Sequence, residues 1–162
     1  MHRMDRSPLY AFEIAIHARP PEVRPGPVHV DRWGSWPTVV IAHQDLVNPL
    51  EVEFDAFLER LATFERMYAE PDGSFVWVSA REGLSWQVDG NALERRGRLL
   101  AVDLKGSCPA VDFDRLLAAL GWPGQPVVVQ LVRAAVFVAE DVFREHATIR
   151  GSLGDGWSLR PG

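Results

Sequence analysis

The chain opens on strict alternation. Tyr10, Phe12, Ile14 and Ile16 are apolar or aromatic, and Ala11, Glu13, Ala15 and His17 between them are small or polar. A period of two marks a half-buried β-strand, because successive side chains point to opposite faces of a sheet. Pro20, Pro21, Pro25 and Pro27 then make a loop, since proline fixes φ and removes a backbone donor. Thr38 to His43 reads as a second strand. After it the period changes. Phe54, Phe57, Leu58, Leu61, Phe64 and Tyr68 recur at helical spacing between Asn48-Pro49 and Pro71-Asp72-Gly73, which predicts one helix across the stretch. On that helix Glu65 falls inside the apolar stripe, between Leu58 and Leu61, where a carboxylate is costly without a partner.

Three strand-like runs follow: Phe75 to Ser79, Leu84 to Asp89 and Leu99 to Lys105. Arg81-Glu82-Gly83 is the turn between the first two. With Arg95-Arg96-Gly97 as a three-residue hairpin loop and Gly97 left-handed, Glu94 pairs with Arg98, Asp89 lies opposite Asp103, and Gln87 lies opposite Lys105. In this register one face carries Trp86, Val88, Leu100, Val102 and Leu104. The other carries Gln87, Asp89, Asp103 and Lys105, and a slip of one residue would mix the two. Asp112 then caps a helix with the stripe Phe113, Leu116, Leu117 and Leu120, ended by Gly121 and Pro123. Val127 to Val132 is a continuous apolar strand, and Ala139 to Ala147 a last helix. The pattern predicts a single α+β domain over residues 1–150, with a mainly antiparallel sheet and helices packed mostly on one face. Residues 1–8 are expected to be disordered and 151–162 to form a flexible tail.

Composition narrows the function classes. At 162 residues one core is affordable. No run approaches the ~18 apolar residues of a membrane span. Met1 to Arg6 is followed by no apolar segment with a cleavage site, so a cytoplasmic protein without membrane contact is expected. Cys108 is the single cysteine, which excludes an internal disulfide and a multi-cysteine zinc site. A net charge of −5 argues against broad nucleic-acid binding but leaves room for a locally basic groove. Of 17 basic side chains only Lys105 is a lysine. GC-rich coding would give the same bias, but a compact ammonium also suits catalysis better than a guanidinium.

The predicted hairpin places Asp89 and Asp103 directly opposite one another, where like charges repel. A bridging Mg²⁺ would relieve them, since carboxylate oxygens suit that ion. Lys105, on the same face, would then hold a water or a phosphate oxygen beside the metal, an arrangement for metal-assisted hydrolysis.

Val88-Asp89-Gly90 and Asp103-Leu104-Lys105, with thirteen residues between Asp89 and Asp103, resemble the PD-(D/E)xK nuclease motif. The order helix, three strands, helix, strand over about residues 53–133 is similar to that superfamily's restriction-endonuclease-like core. The resemblance implies Asp89 and Asp103 as metal ligands, Lys105 as the catalytic lysine, and Glu65 as the additional carboxylate that many members carry on the first helix. Val88 stands where the family has proline, Asp103 is its less common carboxylate, and the Gln-x-x-x-Tyr pattern of one branch is missing. The superfamily also includes members that have lost catalysis.

A plainer alternative makes Asp103 and Lys105 the solvated face of a strand, with Asp89-Gly90-Asn91 a turn. The chain is then a non-catalytic interaction or assembly module, or a homodimer, with Trp33, Trp36 and Trp122 marking an apolar surface. Two weaker constellations complete the candidates. Cys108 is placed as a thiol nucleophile just past a strand end. His17, His29 and His43 with Asp31 and Asp45 are potential metal ligands, in spacings unlike zinc-site patterns.

Overall fold

A computed structural model of the chain describes residues 7–153. It is an α+β domain built on a nine-stranded sheet in which every pairing is antiparallel. Its strands are β1 (Leu9–Ala18), β2 (Arg24–Pro25), β5 (Val39–Val40), β6 (Met67–Ala69), β7 (Ser74–Val78), β8 (Gln87–Arg95), β9 (Arg98–Pro109), β10 (Val127–Leu131) and β11 (Val136–Ala139). They lie in the order β2-β5-β11-β10-β1-β9-β8-β7-β6. Strands β3 (His29–Asp31) and β4 (Gly34–Trp36) form a separate hairpin. The helices are α1 (Phe54–Leu61), α2 (Ala110–Ala119) and α3 (Glu140–Ser152), with a 3₁₀ turn at His43–Val47.

Alternation on β1 decides which face is covered. Tyr10, Phe12, Ile14 and Ile16 are all buried on the helix side. Phe12 packs edge-on against Phe113 of α2 and Phe143 of α3, with ring centroids 5.5 and 6.2 Å away. Tyr10 meets the same two rings at 5.6 and 5.9 Å. On α1, Phe54, Phe57 and Leu61 close the core toward β7, Phe57 lying 6.4 Å from Phe75. The helices therefore cover one face and leave the other open.

Several local expectations change. The helix expected to run past Glu65 stops at Leu61. Thr63 bonds back to the Arg60 carbonyl through both its amide and its hydroxyl, and Arg66 turns left-handed at φ 57°. Met67, Tyr68 and Ala69 then pair with Trp77, Val76 and Phe75 as an extra edge strand. Strand pairing outcompetes helical spacing here, and Glu65 sits exposed in the turn rather than on a helix stripe. Strand β8 begins at Gln87, so Leu84, Ser85 and Trp86 lie in a long connection, and Asp89-Gly90-Asn91 is strand interior rather than a turn. Helix α2 begins two residues before Asp112; the Ser7 hydroxyl accepts the Val111 amide and the Pro8 carbonyl accepts that of Ala110. Ser7 and Pro8 are thus held in place, while the rest of the expected disorder, residues 1–6, lies outside the described residues. Likewise Gly151 and Ser152 belong to α3, and the expected tail from 154 onward lies outside them.

The β3–β4 hairpin is fastened to α3 by one carboxylate. Asp31 Oδ1 accepts from the amides of Trp33 and Gly34 and from Trp36 Nε1, at 2.9, 3.2 and 3.0 Å. Its Oδ2 lies 2.8 Å from His146 Nε2. The His146 ring is held edge-on between Trp33 and Trp36, at 5.3 and 5.0 Å. Burial tends to raise the Asp31 carboxyl, but bonds from Trp36, His146 and Trp33 outweigh it and hold it below the ordinary range. Burial lowers the His146 imidazole against the pull of Asp31, aided by nearby Arg150 and His29. A histidine depressed in the folded state stabilises the fold above its unfolded value of 6.5 and loses that contribution as the pH falls through the lower folded value. Thermal melts recorded from about pH 7.5 to 5 should show the melting temperature dropping once the pH passes below 6.5. His146→Gln, whose amide still reaches Asp31, should flatten that drop; an unchanged slope would exclude His146 as its source.

Candidate functional site

The β8–β9 hairpin turns more tightly than the sequence suggests. Arg95 pairs with Arg98 across a two-residue turn, with Arg96 at φ 52° and Gly97 at φ 83°, both left-handed as a type I′ turn requires. The register then shifts between Leu93 and Glu94, because Leu100 is an extra residue on β9: Glu94 faces Leu99 and Leu93 faces Ala101. Together these displace the expected pairing by two residues, an even number, so the polar and apolar faces survive while the partners change. Asp89 lies opposite Lys105, and Asn91 opposite Asp103. The expected Asp89–Asp103 and Gln87–Lys105 pairs do not form. Asp89 and Asp103 become diagonal neighbours, about 7–8 Å apart by ordinary sheet geometry.

Pairing to β1 and β10 completes the open face. Lys105 lies opposite Glu13 on its other side, Asp103 opposite Ala15, and Ala15 opposite Gln130. These residues line a cavity of about 410 Å³, which Asp89, Asn91, Asp103, Lys105, Glu13 and Gln130 ring and which Ala15 underlies. Asp89, Asp103 and Lys105, chosen from sequence, thus share one cavity. Glu65 does not line it.

Three carboxylates and one ammonium line the cavity, so its charge is net acidic. The Lys105 ammonium makes no hydrogen bond or ion pair with another described residue. Asp89 accepts from Gln87 Nε2 at 3.0 Å, and Glu13 is engaged by Arg133 at 2.8 Å. Partial burial raises the Asp103 carboxyl, against the opposing pull of His17. Burial lowers His17, whose Nδ1 is enclosed without a hydrogen-bond partner.

With Lys105 rather than Asp103 across from Asp89, like-charge opposition no longer calls for a bridging cation. What remains is the chemistry of the donors. Asp89 and Asp103, with the carbonyl oxygens of Asn91 and Gln130 nearby, are hard oxygen ligands of the kind Mg²⁺ takes, and that ion keeps several waters and needs only one or two carboxylates. Among the described residues no group of three or more His, Cys, Asp or Glu side chains is placed to hold a metal ion. The described side chains of this face thus offer no closed cage for an ion.

The other candidates disperse. Cys108 is buried, and burial, with Asp112 and Asp114 nearby, raises its thiol well above its ordinary value, the reverse of an activated nucleophile. His29 lies 3.6 Å from Asp31, but His17 is on β1 and His43 in the 3₁₀ turn. The tryptophans do not form a common apolar surface. Trp36 is buried on His146, Trp33 packs on the same ring, and Trp122 donates to Glu140 at 2.9 Å beneath Arg144. Sequence reasoning missed Glu13, Asn91 and Gln130. Alternation on β1 already put Glu13 on a polar face; no local signal says that β1 is the neighbour of β9.

An acid raised on folding stabilises the fold only below its unfolded value of 3.8 and loses that contribution as the pH rises through the folded one. Asp103→Asn should therefore raise the melting temperature at about pH 7 and leave it unchanged at about pH 3. Equal melting temperatures at both would mean that Asp103 carries no desolvation strain. No protein-family model matches the chain, and neither a curated protein nor a solved structure is detectably similar to it.

Proposed function

We propose that the protein acts through the open face of its sheet as a Mg²⁺-dependent phosphodiesterase or nuclease, in the manner the PD-(D/E)xK resemblance implies. One observation carries this reading: Asp89, Asp103 and Lys105, from two strands, line the same cavity. Asp89 and Asp103 would hold the ion. A divalent ion held there would polarise a phosphoryl oxygen and make bound water more acidic. Lys105, unpaired and two residues from Asp103 on the same face, would place its ammonium against an anionic phosphate oxygen as charge develops there. The net acidity of the cavity repels a bare phosphate and favours cation binding first. Glu65 has no part in this reading.

The same register supports a second one. Lys105 stands across the strands from Asp89 on one side and Glu13 on the other, so its ammonium is flanked by carboxylates without an ion. The cavity, within the usual size range of small-molecule sites, would then bind a polar organic ligand without catalysis.

Cleavage of single- and double-stranded DNA and RNA with Mg²⁺ or Mn²⁺ separates the two. Under the phosphodiesterase reading Lys105→Ala lowers turnover by about a hundredfold or more, Asp103→Asn abolishes the metal-dependent cleavage, and Glu65→Gln changes nothing. Absence of metal-dependent hydrolysis, or activity that survives Lys105→Ala, would sink it and leave the binding reading.

A further inference from the structure

The tip of the β8–β9 hairpin is built against its own stability. Arg96 occupies the left-handed first position of a type I′ turn, where asparagine is the ordinary residue. Arg95 and Arg98 are cross-strand partners, so two like charges face each other directly. All three side chains are exposed, and none forms an ion pair with another described residue. Glu53, bridged to Arg98 through the backbone, does not pair with its guanidinium. The tip is also held in position, since the Phe54 amide donates to the Gly97 carbonyl at 2.9 Å.

Alternation along β8 carries Asp89, Asn91, Leu93 and Arg95 on one face, so Arg95 and Arg98 project from the same side as the cavity. From Asn91 to Arg95 is four residues, about 13 Å at about 3.3 Å per residue. Along a duplex axis that is the rise of about four base pairs, at about 3.4 Å each. Each guanidinium can take a phosphate through two parallel hydrogen bonds.

We infer that Arg95, Arg96 and Arg98 form a backbone-binding surface that holds the phosphates of a nucleic-acid strand a few nucleotides from the cavity, so that the site works on polymers rather than on mononucleotides. This rests on the phosphodiesterase reading of the cavity. The arginines anchor the strand beyond the acidic cavity, which by itself repels it.

The test is a binding isotherm for a labelled twelve-nucleotide single strand in EDTA, which prevents metal-dependent cleavage, on the wild type and on Arg95→Ser/Arg96→Asn/Arg98→Ser. Asparagine at 96 suits the turn, so the variant should melt no lower than wild type. Its affinity should fall by about tenfold or more, and the slope of log K against log salt should shrink by about 2, from three lost contacts at about 0.7 each. Equal affinity in the two proteins, no binding by wild type, or equally tight binding of a polyglutamate peptide would overturn the inference. Mn²⁺-dependent turnover of bis(4-nitrophenyl) phosphate by wild type reports the cavity alone. Its absence would count against the phosphodiesterase reading, whereas unchanged strand affinity in the variant counts against the arginine surface.

Discussion

The ladder between β1 and β9 is the constraint on which the rest of this molecule depends. Residues 9 to 17 pair one for one with residues 109 to 101, without a break. Because side chains alternate along both strands, a single register assigns every pair at once. Tyr10, Phe12, Ile14 and Ile16, with Val102, Leu104 and Cys108, go to the helices and are buried. Glu13, Ala15 and His17, with Asp103 and Lys105, go to the other face. Moving β1 by one residue would put Glu13 among Phe113 and Phe143, at a desolvation cost of several kcal/mol for an unpaired carboxylate. The aromatic core thereby fixes the polar face that it never touches.

What was legible in the sequence was parity, and what was not was partnership. The alternation of β1, the polar and apolar faces of β8 and β9, and the stripe of α2 each follow from short-range spacing. The hairpin register does not, since it turns on whether Arg95 belongs to the loop and on one extra residue at Leu100. Both are settled by the twist and packing of the whole sheet, notably by Leu99, fully buried beneath the segment whose Leu50 amide bonds to its carbonyl. The end of α1 was hidden for a related reason. Phe64 keeps helical spacing because it still reaches Trp77, 5.1 Å away, yet it does so from a turn. A periodic apolar residue shows that a side chain is buried, not that the backbone beneath it is helical.

The candidate site was half legible on the same terms. Asp103 and Lys105 are two apart on one strand, so their common face needs no tertiary information. Asp89 joins them only if the hairpin is displaced by an even number of residues, which it is. Glu65 was placed by a helix that ends four residues earlier, at Leu61. Glu13 and Gln130 come from strands well before and after the hairpin in the chain, and only the central position of β1 brings them in. His146 and Asp31, whose bond spans 115 residues, were equally invisible.

The cavity owes its depth to a small residue. Ala15 stands on the open face at the middle of the sheet, where a larger side chain would fill the cavity, while Phe137 and Leu93 do not line it. A strand rich in alanine forgoes the stabilisation that bulkier or β-branched residues give through cross-strand packing. Here the loss is tolerable because β1 is pinned from the other side by the Phe12–Phe113–Phe143 cluster. The core thus supplies the stability that lets the opposite face stay hollow and charged. Asp103 shows the limit of that allowance, since even its partly open carboxyl is pushed toward the neutral form. A cation or a cationic group entering the cavity would meet a carboxylate whose charge is under-solvated, and would gain more from it than from a fully hydrated one.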